Sequence, residues 1–264
     1  MLTEAARLLT GRLERLGTLS VADKQAVQSL VQHPAVHEAR TDVFCDGDQR
    51  RELHLVLSGF FCRYKLLADG SRQILAILLP GDLCDPNLFS NAPYDFSVGA
   101  LARGCTAALS RPPLHELFRR PALARAFSLT RHFDDALSRE WLVNLGRRGT
   151  EQRLVRLLSE LTWRLEAFGL STGNKITLPL VQADLADSIG VTHVHLCRTL
   201  KQLQSEGLLR TERGRIVISD VAGLRKAVGV WPSYLAGLIS VATPLQEPVA
   251  PRRQLEAFVE PLAI

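Results

Sequence analysis

The sequence predicts an α+β fold in three parts: a jelly-roll-like N-terminal β roll, one long helix, and a C-terminal winged helix-turn-helix. Three observations predict it. From residue 35 to 110 apolar pairs alternate with polar residues, and glycines recur at 47, 59, 70 and 81, spacings of 12, 11 and 11 residues. Turns at that interval indicate short antiparallel strands. From 123 to 144, apolar or small side chains recur every three or four residues, as on one face of a helix. Finally, LVQADLADSIGVTHVHLCRTLKQLQSEGL (180–208) reads as a helix, a sharp turn and a second helix, and two short β-type runs follow it.

Residues 1–34 are expected to form N-terminal helices. Leu8, Leu9, Leu13, Leu16 and Leu19 make an apolar stripe; Ser20 and Asp23 start a second helix carrying Val27, Leu30 and Val31, which Pro34 closes. Residues 35–111 are the roll. Leu53 to Leu57 form one strand, Phe60–Leu67 and Arg72–Leu79 form a hairpin across Ala68-Asp69-Gly70, and Pro80-Gly81-Asp82 is a turn. Residues 112–147 return to helix after Pro112 and Pro113. Leu123, Phe127, Thr130, Phe133, Leu137, Trp141 and Asn144 form a narrow seam of the coiled-coil kind, expected to pair with a second copy of the chain; the alternative is packing against the chain's own roll.

Residues 148–228 are the winged helix-turn-helix. An amphipathic helix over 150–168 ends at Gly169, and Lys175–Leu178 is a short strand. In the first helix of the motif Leu185, Ala186 and Ile189 face inward; Gly190 supplies the left-handed backbone of the turn, and Thr192 can cap the next helix. There Leu196, Leu200 and Leu203 point inward. His193, Val194, Cys197, Arg198 and Lys201 are left on or beside the opposite face, a polar and basic stripe suited to the DNA major groove. Leu208–Thr211 and Arg215–Ile218, joined by Glu212-Arg213-Gly214, make a hairpin wing, and Asp220 caps a last helix containing Leu224. Residues 229–264, with five prolines from 231 onward, are expected to be a partly disordered extension.

Charge agrees with a nucleic-acid partner. The chain is net +5, and residues 147–230 alone hold 13 Lys+Arg against 8 Asp+Glu, so this segment carries an excess equal to the whole. Five scattered cysteines without CxxC spacing argue against a disulfide framework or a sequence-local metal site. No Walker loop or GxGxxG occurs, and the seven histidines lack metal spacing, so an enzyme is not expected. With no signal peptide and no run of about 18 apolar residues, neither export nor membrane insertion is expected, and a cytoplasmic location is.

With this order of parts, the chain resembles the Crp/Fnr superfamily of bacterial transcription regulators over about residues 10–228. The resemblance rests on Gly59 within LSGFFCRYKLLADGSRQI, on Pro80-Gly81-Asp82, on REWLVNLGRR (139–148), and on LPLVQADLADSIGVTHVHLCRTLKQLQSEGLL. It implies a homodimer, a sensory roll like a cyclic nucleotide-binding domain, a two-fold-symmetric promoter site, and contact with RNA polymerase. Carried over by position, it puts base reading on His193, Val194, Cys197 and Arg198. Arg198 is placed to donate two bonds to guanine, and Val194 stands where familiar members have an acidic reader. Thr177, Thr192 and Lys201, with Gln182 a weaker case, are expected on the DNA backbone.

The sensor departs from the pattern. Cyclic-nucleotide members hold the phosphate with backbone N–H groups, a Glu and an Arg. Here Pro86 has no N–H to give, and Tyr94-Asp95 stands near the place of the Arg. Iron–sulfur members use closely spaced N-terminal cysteines, whereas Cys45 is the first here and the next three follow at successive intervals of 17, 22 and 21 residues. Haem on His54 or Cys84 has only lone residues to support it. Cyclic nucleotide, iron–sulfur cluster and haem are therefore not expected, and no effector is assigned. Two alternatives stay open: a constitutive DNA-binding protein with a vestigial sensor, and a ligand- or protein-interaction module that does not bind DNA.

Overall fold

The computed structural model describes residues 2–49, 52–85, 87, 92–109, 116–171 and 173–229, the side chains of residues 2–5 and 32 excepted. Pro86, Pro112, Pro113 and the extension from residue 230 lie outside the described residues.

Two helices lead, α1 (Leu2–Glu14) and α2 (Val21–Gln28). Ser20 starts α2 with a capping box: its hydroxyl accepts from the Asp23 N–H, and the Asp23 carboxylate accepts from the Ser20 N–H at 3.0 Å. The helix stops at Gln28, earlier than Pro34. Val31 already belongs to a strand, β1 (Val31–His37), so the helical segment and the roll divide at residue 31. Pro34 does not terminate a helix; it sits at a register shift in an edge strand, where a missing N–H costs no ladder bond.

The roll consists of β1, β2 (Asp42–Phe44), β3 (Leu53–Ser58), β4 (Phe61–Leu66), β5 (Arg72–Leu78), β6 (Ser97–Ala100) and β7 (Gly104–Leu109). Two antiparallel sheets, in the orders β1-β7-β3 and β2-β6-β4-β5, enclose a core of Phe44, Val56, Phe61, Leu78, Cys84, Tyr94, Val98 and Ala100. The β3–β4 turn depends on Gly59. At φ +80, a Cβ there would stand 2.6 Å from Gly104 Cα and 2.7 Å from the Arg103 carbonyl. Gly70, in the β4–β5 turn, has a similar φ of +81 but open space around it. Gly70→Ala should therefore cost only the left-handed strain, about 1–2 kcal/mol, and Gly59→Ala distinctly more, because two backbone segments must also part. Urea midpoints of the two variants check this; equal losses would refute the close-approach argument.

The long helix α3 (Pro121–Arg147) crosses the roll. Its seam does not wait for a partner. Leu123, Phe127, Thr130, Phe133, Leu137, Trp141 and Asn144 are all buried within the single chain. Leu123 and Phe127 join the core of α1, α2 and the outer face of β3 and β7; Phe133 and Leu137 meet Trp163; Trp141 enters the core shared with the C-terminal part. The expectation that these seven residues pair with a second copy is thus corrected. The stripe is the helix's inward face, and the outward face carries Leu142 and Val143, 70% and 46% exposed.

The C-terminal part comprises α4 (Thr150–Ala167), β8 (Ile176–Leu178), α5 (Gln182–Ile189), α6 (His193–Ser205), β9 (Leu209–Glu212), β10 (Arg215–Ile218) and α7 (Val221–Val228). The wing sheet runs β8-β10-β9, antiparallel throughout. Its core is continuous with the roll: Phe60, Cys62, Ile74 and Ile77 share one apolar cluster with Leu154, Leu161, Leu185, Leu196 and Leu203. The same junction is crossed by buried charge. Asp82, in the turn after β5, is bonded by both Arg12 of α1 and Arg164 of α4. Arg164 also reaches Glu160 at 3.3 Å and the Ile77 carbonyl at 2.9 Å, and Trp141 donates to Glu160 at 2.9 Å.

Candidate nucleic-acid interface

The helix-turn-helix forms as the residue types demand. Gly190 adopts φ 63, ψ 49 at the end of α5, a conformation an L side chain takes only with strain. Thr192 caps α6, its hydroxyl accepting from the His195 N–H at 3.5 Å. Leu196, Leu200 and Leu203 are at most 2% exposed and hold α6 to the body. That leaves one face of α6 open. His193, Val194, His195, Arg198 and Lys201 are exposed, Val194 to 67%, and Cys197 is half-buried beside them.

The structure therefore brings the four base-reading candidates and Lys201 onto one helix surface, with Val194, Arg198 and Lys201 at positions i, i+4 and i+7. Three residues also touch. The Cys197 thiol lies 3.2 Å from Gln182 Oε1, to which it donates, and 3.5 Å from His193 Nδ1. Gln182, expected on the DNA backbone, thus braces the reading helix from the start of α5. Thr192 is exposed at the helix N-terminus. Thr177 stands apart, exposed on β8 and opposite Val217 in the wing sheet. Among the described residues, Arg198 and Lys201 have no carboxylate partner, so their charge is free for a polyanion.

The wing adds a residue the sequence did not single out. Arg210 and Arg215 both pair with Glu212, at 2.8 and 3.7 Å. Arg213, at the tip between β9 and β10, is exposed and without a carboxylate partner among the described residues. Its place in the turn could have flagged it; its freedom depended on how Glu212 is shared. Gly169-Leu170-Ser171-Thr172-Gly173 has GxSxG spacing, but Gly169 at φ +68 ends α4, and the Ser171 N–H bonds back to the Leu165 carbonyl. This is a helix stop, without the strand-to-helix elbow that hydrolase chemistry needs.

In the roll, the buried Arg63 guanidinium donates to the Leu83 and Cys84 carbonyls at 2.8 Å each. Tyr94, near the place of the family's phosphate-binding arginine, is 4% exposed, stacks on Phe44 with centroids 3.7 Å apart, and donates to the Glu52 carbonyl at 3.0 Å. Phe44 and Tyr94 also line an open cavity, together with Asp48, Glu52 and His54. Burial also pushes the Cys62 and Cys84 thiols up to about 12, far from a reactive thiolate. The Cys45 thiol is raised as well, by partial burial and by Asp42 and Asp48. Burial lowers the affinity of His54 for a proton. No group of three or more His, Cys, Asp or Glu able to hold a metal occurs among the described residues, and no described helix is long and apolar enough to cross a membrane.

Residues 36–121 match the family of cyclic nucleotide-binding domains, and residues 152–227 match the Crp-like helix-turn-helix domain. The chain is 30% identical to the nitrogen fixation regulation protein FixK of Bradyrhizobium diazoefficiens over 182 residues, 68% of this chain and 75% of that one. It is 25% identical to the transcriptional activator protein FnrL of Cereibacter sphaeroides, covering 79% and 85% of the two chains. The structure of FixK2 from Bradyrhizobium japonicum superposes with a TM-score of 0.67 at 23% identity, over 77% of this chain and all of the other.

Proposed function

The chain belongs to the Crp/Fnr family of DNA-binding transcription regulators, which are not enzymes, and from that premise we propose that it acts in the cytoplasm as a homodimer on a two-fold-symmetric promoter site. The observation that carries this is the open face of α6, on which Val194, Arg198 and Lys201 align without acidic partners. Arg198 reads guanine with two hydrogen bonds. Val194 cannot accept from cytosine and touches a thymine methyl instead, so the half-site differs from those of members with an acidic reader. His193 and Cys197 read or flank neighbouring bases; Thr192, Lys201, Gln182 and Thr177 meet the backbone. RNA polymerase is a further partner, by family resemblance. Relatives named for nitrogen fixation make promoters of that kind the first to test.

Two copies meet through the outward face of α3, not through its buried seam. Leu142 and Val143 are exposed there, and Gly146 leaves open space for a close helix approach. Pairing of that kind sets the two copies of α6 about 34 Å apart, one duplex turn. A second reading is favoured by Tyr94, buried and stacked on Phe44 near the place of the family's phosphate-binding arginine: the roll is a scaffold without a cyclic nucleotide, haem or iron–sulfur effector, and DNA binding is constitutive.

Selection of DNA sites with the purified protein at two salt concentrations, joined to sedimentation, tests these points. A symmetric motif with half-sites one turn apart, affinity falling as salt rises, and a micromolar dimer that Leu142→Glu/Val143→Glu converts to monomer are expected. A monomeric wild type, or no enriched motif with or without cell extract, would sink the proposal; affinity that shifts with cell extract would remove the scaffold reading.

A further inference from the structure

We propose that Asp184 is a positioning residue for DNA binding: it is the point at which two arginines of the roll hold the helix-turn-helix with its reading face outward. Asp184 lies in the first turn of α5 and its side chain is fully buried. Its Oδ1 accepts from Arg40 at 2.8 Å and from Arg72 at 2.9 Å, both from the roll. Its Oδ2 accepts from the Val181 N–H at 3.2 Å, so the same carboxylate caps the helix it anchors. Arg72 reaches further along α5, its Nε donating to Asp187 at 2.8 Å, and its guanidinium lies 5.7 Å from the Tyr64 ring centroid. The grip is bidentate across two carboxylates, which fixes direction as well as distance.

Two neighbouring features belong to the same joint. A Cβ on Gly190 would meet Leu145 of α3 at 3.4 Å and Gln73 of β5 at 3.5 Å, so the turn of the motif rests against the long helix and the roll together. Arg40 holds φ +72, a conformation rare for a non-glycine residue, and its side chain reaches Asp184 from there. Burying a carboxylate between guanidinium groups adds little net stability compared with apolar packing; the better-attested use of such groups is to set register. Here the register is that of α6, whose DNA face lies clear of these contacts. In a two-copy protein the separation of the reading helices decides whether both half-sites are engaged at once, and rigid positioning raises the effective concentration of the second.

The inference rests on the two-copy reading above, and its test keeps the two apart. Full-length wild type, Arg72→Gln, Asp184→Asn and the Arg72→Gln/Asp184→Asn double variant would be measured on three duplexes: a single selected half-site, two half-sites at the selected spacing, and the same pair two base pairs further apart. Thermal midpoint and sedimentation accompany each protein. The expected result is about a tenfold or greater loss for Arg72→Gln on the properly spaced pair, within twofold of wild type on the single half-site, with the preference for correct spacing flattened. Asp184→Asn should lose as much, and the double variant less than the sum of the two single losses, as for two residues that share a contact. Unchanged spacing preference, tighter binding, additive losses, or an equal loss on the single half-site would each overturn the proposal. A wild type that is monomeric or indifferent to spacing would overturn the two-copy reading and this inference with it, before any variant is compared.

Discussion

Replacing Arg198 with alanine is expected to abolish most sequence discrimination while sparing non-specific binding. A bidentate arginine–guanine pair is worth roughly 1–3 kcal/mol of discrimination, and a symmetric site contains the pair twice. The loss on the selected operator should therefore be about 2–6 kcal/mol, or 30-fold and upward, with the largest relief of preference at one base pair per half-site. Arg198 is exposed on α6, so its removal leaves the core of Leu196, Leu200 and Leu203 intact and the fold should not change. Arg213 at the wing tip provides the contrast. Arg213→Ala should weaken all duplexes alike and reduce the salt slope by about one. Titrations of both variants on operator and scrambled DNA decide the matter; a uniform loss for Arg198→Ala would move that residue to the phosphate class.

The second large effect is on stability. Arg164 is 3% exposed and compensates two buried carboxylates, Asp82 and Glu160. Removing one member of such a buried network leaves charge uncompensated and typically costs about 3–5 kcal/mol. For a protein of this size each kcal/mol lowers the melting temperature by about 2–4 °C, so Arg164→Met should melt some 6–20 °C lower at neutral pH. The pH dependence gives a second check. Burial pushes the Asp82 carboxyl up, but the Arg164 and Arg12 guanidinium groups outweigh it and hold the group below its ordinary range. Asp82 thus contributes stability that is complete above the unfolded carboxylate value of about 3.9 and is lost as pH falls through its folded value.

Glu160 has the opposite sign. Burial raises it, and Arg164 and the Trp141 N–H only partly offset that, so its cost appears as pH rises above about 4.3. Both carboxylates need Arg164 most when ionised. The gap between wild type and Arg164→Met should therefore narrow as pH falls below about 4. A gap constant from pH 3 to pH 7 would show that the arginine acts by packing alone.

The helix-turn-helix was legible because each of its demands is local. A left-handed turn needs Gly190, a helix start needs an oxygen such as that of Thr192, and the inward stripe of Leu196, Leu200 and Leu203 leaves one face for DNA. The roll was legible from the turn spacing alone, although β1 was not, since its proline and its register shift erase the alternation on which strand reading depends. The base-reading residues come from the family resemblance, and the structure adds that they share an open face.

What the local pattern could not supply is the identity of the surface each stripe meets. The α3 seam shows only that Leu123 through Asn144 must be covered; a partner copy and the chain's own α1, α4 and roll satisfy that periodicity equally, and the fold provides its own cover. Arg12, Asp82 and Arg164 look like ordinary surface charges in a linear reading, as do Arg40, Arg72 and Asp184. Their partners lie 70 to 144 residues away. By itself the sequence determined the elements, their order and the face of α6 that is left open, because backbone conformation and helical periodicity act over a few residues. Only the tertiary structure decided which charges are buried and how the reading domain is held, because burial and ion pairing depend on segments that meet only once the chain has folded.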